Sequence, residues 1–258
     1  AEAYERLLID VIGLDCVQVG RFAQLSALMP LQDIIPTETM DQYFQGLLTT
    51  PRSFGLYEGN IVGVPFWVDM SVMYYNKQMM EEAGGNPDVG LVNWDEIKTV
   101  GKAATKGDVF GMALGQVNAF IWGPYLWATG GDYCDPEWTE SWIERGDVEQ
   151  MLQFFRDIVN VDKITNDAAA TSWGDMNNLF NNQKAMIVHG GGGYVGTIRS
   201  EFPDLWTKLG ICLIPGPTTG QTSSFIGGNV ASIATQTKEL DASVELLVWL
   251  TAGDGQAV

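Results

Sequence analysis

The sequence predicts an α/β fold with more than one lobe. Three observations carry that expectation. Apolar strands alternate with amphipathic helices along the chain, but irregularly and with long aromatic-bearing loops, which argues against a regular barrel. The 258 residues are 46% hydrophobic, enough for two modest lobes with a core and too apolar for disorder. No short internal repeat and no Ser/Pro linker interrupts the chain, so the expected lobes share several crossing strands.

Residues 1–12 read as a short helix with Tyr4, Leu7, Leu8 and Val11 on one face. "DCVQVG" reads as a strand and "RFAQLSALM" as a helix closed by Pro30, with another helix from about Thr39 to Leu48. The run from Gly55 to Asn76 is extended, with a hairpin turn at Gly59-Asn60, and a helix from Lys77 ends at Gly84-Gly85. Asn93 and Glu96 form a capping box that opens "WDEIKTVGKAAT". "VFGMAL" is a strand, and "AFIWGPYLWATGG" a helix stopping on its glycines. Helices follow over Val148–Val159 and near Trp173–Asn181, then a strand Ala185–His189, a glycine turn and a short helix to about Glu201. "LGICLIP" and "FIGGNVASIA" are extended, and the helix Leu240–Leu250 closes the pattern.

Asp and Glu number 32 against 14 Lys and Arg, a net charge of −18. Such a chain repels nucleic acid and anionic membrane, and no basic cluster offsets the repulsion. No apolar run is long enough to span a bilayer. Cys16, Cys134 and Cys212 are odd in number, widely spaced and without a C-x-x-C, so they read as buried thiols, with a single disulfide as the alternative. The chain opens inside an amphipathic pattern with neither initiator Met nor signal peptide, as a piece of something longer would. Several of the nine Trp fall in Gly/Pro-flanked loops, which suggests an aromatic-lined cleft.

Gly191, Gly193 and Gly196 in "MIVHGGGGYVGTIR" satisfy G-x-G-x-x-G. A dinucleotide site also needs an acidic residue at the tip of the next strand, and that strand ends at Pro215, Gly216 and Pro217. The fingerprint fails, and no cofactor is expected. The turn still offers main-chain N–H groups to a ligand, hydroxyls included. Catalytic machinery is not legible. His189 is the single histidine, no G-x-S-x-G elbow exists, and neither a zinc set nor a calcium loop can be assembled. Glu58, Asp69, Asp132 and Asp175 are glycosidase-type candidates, but nothing fixes two of them at the required separation.

The stretch from Tyr57 to Ala104 then carries a specific pattern: Gly59, Gly63-Val64-Pro65-Phe66, Asp69, Tyr74-Tyr75-Asn76-Lys77, Ala83-Gly84 and Asn93-Trp94-Asp95-Glu96. It resembles the extracellular solute-binding proteins of ABC transporters, in the carbohydrate-binding group that includes maltose-binding protein. "NNQKAMIVHGGGGYV", "GICLIPGPTTGQTSSFIGGNVASIA" and "SVELLVWLTAGDGQAV" echo later family segments in order, so the resemblance covers nearly the whole chain.

The resemblance implies a type II periplasmic-binding-protein fold. Lobe 1, incomplete, would comprise 1–70 and 215–258, and lobe 2 would comprise 71–214, with crossings near Asp69–Val72 and Leu213–Pro215. The family's opening strand-and-helix unit and its C-terminal helices are missing, so lobe 1 is expected to be the less stable. Position in the pattern assigns ligand contacts to Arg21, Phe66, Trp67, Asp69, Trp122, Tyr125, Trp127, Trp173, Asp175, Gly192, Tyr194, Gly228 and Asn229. Gly192 stands where the family usually has a stacking Trp, with Tyr194 as its substitute. The implied function is reversible binding of a neutral mono- or oligosaccharide and its delivery to ABC permease subunits. The implied protein is a monomer outside the cytoplasm, lipid-anchored if an upstream cysteine exists, with no metal and no catalysis. A polyamine ligand and a glycoside hydrolase are the alternatives.

Overall fold

The computed structural model describes residues 9–115, 118–137 and 139–251. The first elements among the described residues are strand β1 (Val11–Asp15) and helix α1 (Cys16–Gln24). This reverses the expected order, in which residues up to 12 were helical and "DCVQVG" a strand; residues 1–8 lie outside the described residues. The reason is local. The Asp15 carboxylate accepts from the N–H of Val17 at 3.1 Å and caps a helix at the point where β-branched valines alone suggest a strand. Helices α2 (Thr37–Gln45) and α3 (Thr49–Ser53) follow, then the hairpin strands β2 (Leu56–Tyr57) and β3 (Asn60–Ile61). Their turn is Glu58-Gly59, with φ of 48° and 81°, the left-handed pair that a tight two-residue hairpin requires.

Strand β4 (Val64–Asn76) is thirteen residues long, and Asn76 ends it by capping α4 (Lys77–Glu82) through the N–H groups of Gln78 and Met79. Helix α5 (Trp94–Ala104) opens on the expected box. Asn93 accepts from the N–H of Glu96 at 2.8 Å, and Glu96 accepts from the N–H of Val92. After β5 (Phe110–Ala113) comes α6 (Ala119–Ala128), then α7 (Gly146–Arg156), which widens into a π-turn over 157–161. Helix α8 (Trp173–Asn181), strand β6 (Ala185–Gly191), helices α9 (Tyr194–Glu201) and α10 (Pro203–Trp206), and strands β7 (Leu209–Cys212), β8 (Ile214–Pro215) and β9 (Thr222–Ser223) complete this part. Strand β10 (Ile226–Ile233) and helix α11 (Leu240–Thr251) are the last elements among the described residues.

These elements form two compact units, residues 1–69 with 226–258, and residues 70–225. The boundary between the units falls between Phe225 and Ile226, eleven residues later than the expected 214/215. The reason is pairing. Residues 209–212 are hydrogen-bonded to β4 from Met73 to Asn76, and Ser71 grips Phe225.

In the first unit, β1 runs antiparallel to β10, and β10 lies beside the opening part of β4. Leu31, Ile35, Met40, Val64, Ile233 and Leu247 form one core, and Leu14, Val19, Leu28, Val62 and Val230 another. A groove of about 660 Å³ within this unit is lined by Met40, Tyr43, Leu47, Val64, Phe66 and Leu247 among others.

In the second unit the sheet order is β7-β4-β6-β5, with β5 parallel to β6 and the other pairs antiparallel. Alternation along β4 sends Met73 and Tyr75 into one core, with Met112, Ile121, Tyr125 and Phe154. It sends Val72 and Tyr74 into the other, with Met176, Phe180 and Val188. Trp94 stacks on Phe154 and donates its indole N–H to the carbonyl of Pro215 at 2.8 Å, so the largest core ring also has its polar atom satisfied.

Candidate functional site

The second unit carries a half-exposed aromatic surface whose parts come from four separated segments. Helix α6 supplies Phe120, Trp122 and Trp127. Its sequence is apolar on every side, so burying Ile121, Tyr125, Leu126 and Ala128 leaves aromatic rings on the opposite faces. Asn118 starts it by accepting from the N–H of Ile121. Pro124 inside it has no N–H to give to the Phe120 carbonyl. Gly123 lets the next loop approach: a Cβ there would lie 2.6 Å from the Tyr133 hydroxyl and 3.1 Å from the Trp127 ring. Tyr133 accordingly packs edge-on against both Trp122 and Trp127, and burial pushes its phenol up to about 12.

Helix α8 supplies Trp173 at its first position, 41% exposed. Ser172 accepts from the N–H of Asp175 and donates to its carboxylate at 2.6 Å, so Asp175 serves the helix start. The fourth contributor is Phe225. Ser71, fully buried on β4, accepts from the Phe225 N–H at 2.8 Å and donates its own N–H to the Phe225 carbonyl at 2.8 Å.

These anchors bring the rings together. Phe120 meets Trp173 at 5.6 Å and Phe225 at 5.5 Å between centroids, and Phe225 meets Trp127 at 5.8 Å. The Trp127 indole donates to Asp132, which also accepts from the Tyr133 N–H. Of the glycosidase-type candidates in this unit, Asp132 and Asp175 are thus both engaged by neighbouring donors. Among the described residues no group of acidic, histidine or cysteine side chains could hold a metal ion.

Directly behind Phe120 lies His189, fully buried, with ring centroids 5.2 Å apart. Burial alone holds its imidazole down to about 3, so it is neutral at ordinary pH. Tyr125 is 0% exposed, its phenol raised by burial, and its ring centroid is 6.2 Å from that of His189. It sits inside the core and offers no ring face to solvent.

The glycine turn is engaged within the fold. The N–H of Gly192 donates to the Met70 carbonyl at 2.7 Å, and the Tyr74 hydroxyl donates to the carbonyl of Gly191 at 2.7 Å. A Cβ on Gly190 would touch the Tyr74 ring at 3.0 Å. The glycines here therefore serve close packing. Tyr194 stands edge-on to Tyr74 and donates to the side chain of Asn181, so its ring belongs to a core edge.

The first unit gathers a second group of candidates. Trp67 is 50% exposed, and Asp69 follows it on the same strand, half-buried. Gly228 has φ of 154°, and a Cβ there would lie 2.1 Å from the Trp67 carbonyl oxygen, so only glycine lets β10 approach β4 at that point. Asn229 pairs in register with Asp15, and the neighbouring Cys16 thiol, raised by burial, lies at the Gly228 backbone. Arg21 is exposed on α1. Phe66 packs into the core of this unit and lines its apolar groove.

Within the second unit, the structure unites Trp127 and Trp173 through Phe120 and Phe225, and joins Trp122 to Trp127 through Tyr133. It places Tyr125, Gly192 and Tyr194 in packing roles. Sequence reasoning missed Phe120, Phe225, Tyr133 and His189 as parts of this surface. The readable signal for Phe225 was its position immediately before "IGGN", the returning strand.

The chain matches the bacterial extracellular solute-binding protein family over residues 8–258. The arabinooligosaccharide-binding protein of Bacillus subtilis is 26% identical over 255 residues, covering 93% of this chain and 55% of that protein. A probable amino-acid ABC transporter periplasmic-binding protein of Sinorhizobium fredii is 22% identical over 224 residues, covering 85% of this chain and 49% of the relative. The maltose-bound MalE3 of T. maritima superposes with a TM-score of 0.85 at 25% identity, covering 99% of this chain and 65% of the other. The chain spans about half the length of the curated relatives it matches. Its architecture is that of the maltose-binding type of periplasmic binding protein. With a match running through nearly every described residue, the chain belongs to the family of bacterial extracellular solute-binding proteins.

Proposed function

We propose that the protein is the substrate-binding component of an ABC importer and that it binds a neutral mono- or oligosaccharide reversibly, without chemistry. The observation that carries this reading is the aromatic surface of Phe120, Trp127, Trp173 and Phe225. A sugar ring has apolar C–H faces that stack on aromatic rings and a rim of hydroxyls that seek donors and acceptors. Half-exposed indoles beside carboxylate and amide groups meet both needs. The sugar ligands named for the arabinooligosaccharide-binding relative and for the maltose-bound neighbour support the same class. Within the first unit, Trp67, Asp69, Gly228, Asn229 and Arg21 are proposed as ligand contacts. Trp122 and Asp175 flank the contribution of the second.

The partners in this reading are the permease subunits of the importer, and the place of action is outside the cytoplasm, as the family description implies. No described helix is long and apolar enough to cross a membrane.

A thermal-shift screen followed by calorimetry tests the proposal. The panel comprises arabino-oligosaccharides, maltodextrins, monosaccharides, amino acids and polyamines. A sugar that raises the melting temperature, is recovered unchanged, and binds equally at low and high salt is the expected result. Release of new reducing ends, or stabilisation by amino acids or polyamines alone, sinks it.

A further inference from the structure

Two buried polar side chains behind the aromatic surface lack hydrogen-bond partners. Both imidazole nitrogens of His189 are unpaired, and so is the hydroxyl of Tyr125. Both residues are 0% exposed, and their rings are near neighbours, 6.2 Å between centroids. Unpaired polar atoms at such depth are costly, and proteins rarely retain them without use. Here three occur on two neighbouring rings, and Phe120 touches His189 as well as the exposed ring of Trp173 and the half-buried ring of Phe225.

Phe120 is itself only half-buried and belongs to the first turn of α6. Its carbonyl faces Pro124, which cannot donate to it, so the backbone at this point lacks one helical tie. The register supports the placement of the pair. His189 pairs with Met73, whose side chain enters the same core as Tyr125, so the imidazole lies on the α6 side of the sheet.

We infer that His189 and Tyr125 form a polar subsite behind Phe120 that receives one hydroxyl group of the bound polyol. The inference rests on the sugar reading above and goes beyond it by assigning a specificity-determining pair. A neutral imidazole presents one donor and one acceptor, and a phenol presents both. That set matches a hydroxyl, which also donates and accepts, and it does not match an ammonium group, which only donates. A ligand lacking the hydroxyl at that position leaves the pair unpaired and is rejected.

The test uses the full chain and the best sugar from the screen. Tyr125→Phe removes only the hydroxyl, and His189→Phe exchanges the imidazole for a slightly larger apolar ring, so both keep an aromatic ring and lose the polar atoms. Both are expected to weaken that sugar about tenfold or more. The melting temperature without ligand is expected to stay level or rise, because each variant removes an unsatisfied buried group. Unchanged affinity in both variants overturns the inference, whatever happens to stability.

A second measurement separates failure of the subsite from failure of the sugar reading. His189 is the only histidine, so its ring nitrogens give a single set of 15N resonances. Glycerol, added as a minimal polyol, is expected to shift them in the wild type and to leave a bulk control such as the Lys98 amide unmoved. If no sugar binds and glycerol still shifts the imidazole, the subsite stands while the oligosaccharide reading falls. Imidazole resonances indifferent to glycerol and to every sugar overturn the subsite itself.

Discussion

His189 is the residue whose chemistry is most fully determined by its surroundings. Its imidazole is held neutral by burial, with a folded value of about 3 against 6.5 when exposed. The folded state therefore binds fewer protons than the unfolded state between those values. Stability from this residue is complete above pH 6.5 and is lost as the pH falls toward 3. The slope approaches about 1.4 kcal/mol per pH unit, so from pH 6.5 to 4.5 the loss is about 2–3 kcal/mol. Urea titrations of wild type and His189→Phe at both pH values give the contribution by difference. Equal losses in the two proteins contradict the assignment. Trp173 offers the complementary case. It stands at a helix start and is 41% exposed, so Trp173→Ala is expected to change stability by less than about 1 kcal/mol. In the proposed function it also weakens sugar binding tenfold or more, about 1.4 kcal/mol, read by calorimetry. An unaltered affinity removes Trp173 from the proposed site.

At the scale of elements, the aromatic surface depends on residues that are not aromatic. Ser71 gives Phe225 both of its backbone partners, and the Ser224 hydroxyl donates to the Ser71 carbonyl at 2.6 Å. Ser71→Ala leaves the partly buried Phe225 N–H without its acceptor and is expected to cost about 1 kcal/mol in denaturant unfolding. Gly228→Ala is expected to do more damage, because its Cβ collides with a backbone carbonyl rather than with a side chain able to turn away. Loss of hydrogen-exchange protection along β10 and the first half of β4 is the expected signature, and normal protection there contradicts it.

Much of this level was legible in the sequence. Asn93 and Glu96 formed the expected box, Asn76 and Ser172 lie where helices start, and the β6 run "AMIVH" is continuously buried as its composition implies. The exchange of strand and helix around Asp15 was not legible, because "DCVQVG" alternates like a strand and only the cap decides otherwise. Tyr125 and Trp127 are two positions apart on one helix, yet one is core and one is surface. Periodicity cannot separate them when α6 is apolar on all sides. The pairing of Phe225 with Ser71 spans 154 residues and leaves no local trace.

For the whole molecule, the two units differ in how the chain builds them. The second is one continuous stretch, Met70–Phe225, with a core on each face of its sheet. The first is assembled from two distant segments. A polypeptide of Met70–Phe225 alone is accordingly expected to fold, with dispersed amide resonances and cooperative melting. Limited proteolysis of the full chain is expected to leave this stretch as the resistant product. Equal resistance of residues 9–60 counts against the difference in stability that the family resemblance suggested.

Cys16, Cys134 and Cys212 are all free thiols, and each is only partly buried, against the expectation of buried thiols. Burial pushes the thiol of Cys212, the last residue of β7, up to about 11, so at neutral pH it is almost wholly protonated. An aromatic disulfide reagent is expected to consume the other two sulfurs first and to react with Cys212 more slowly, faster as β7 loosens from β4. The lag between these reactions times the loosening of the second unit without any added label. A saturating guest should lengthen that lag, so a single spectrophotometer trace can report occupancy before anyone has named what is bound.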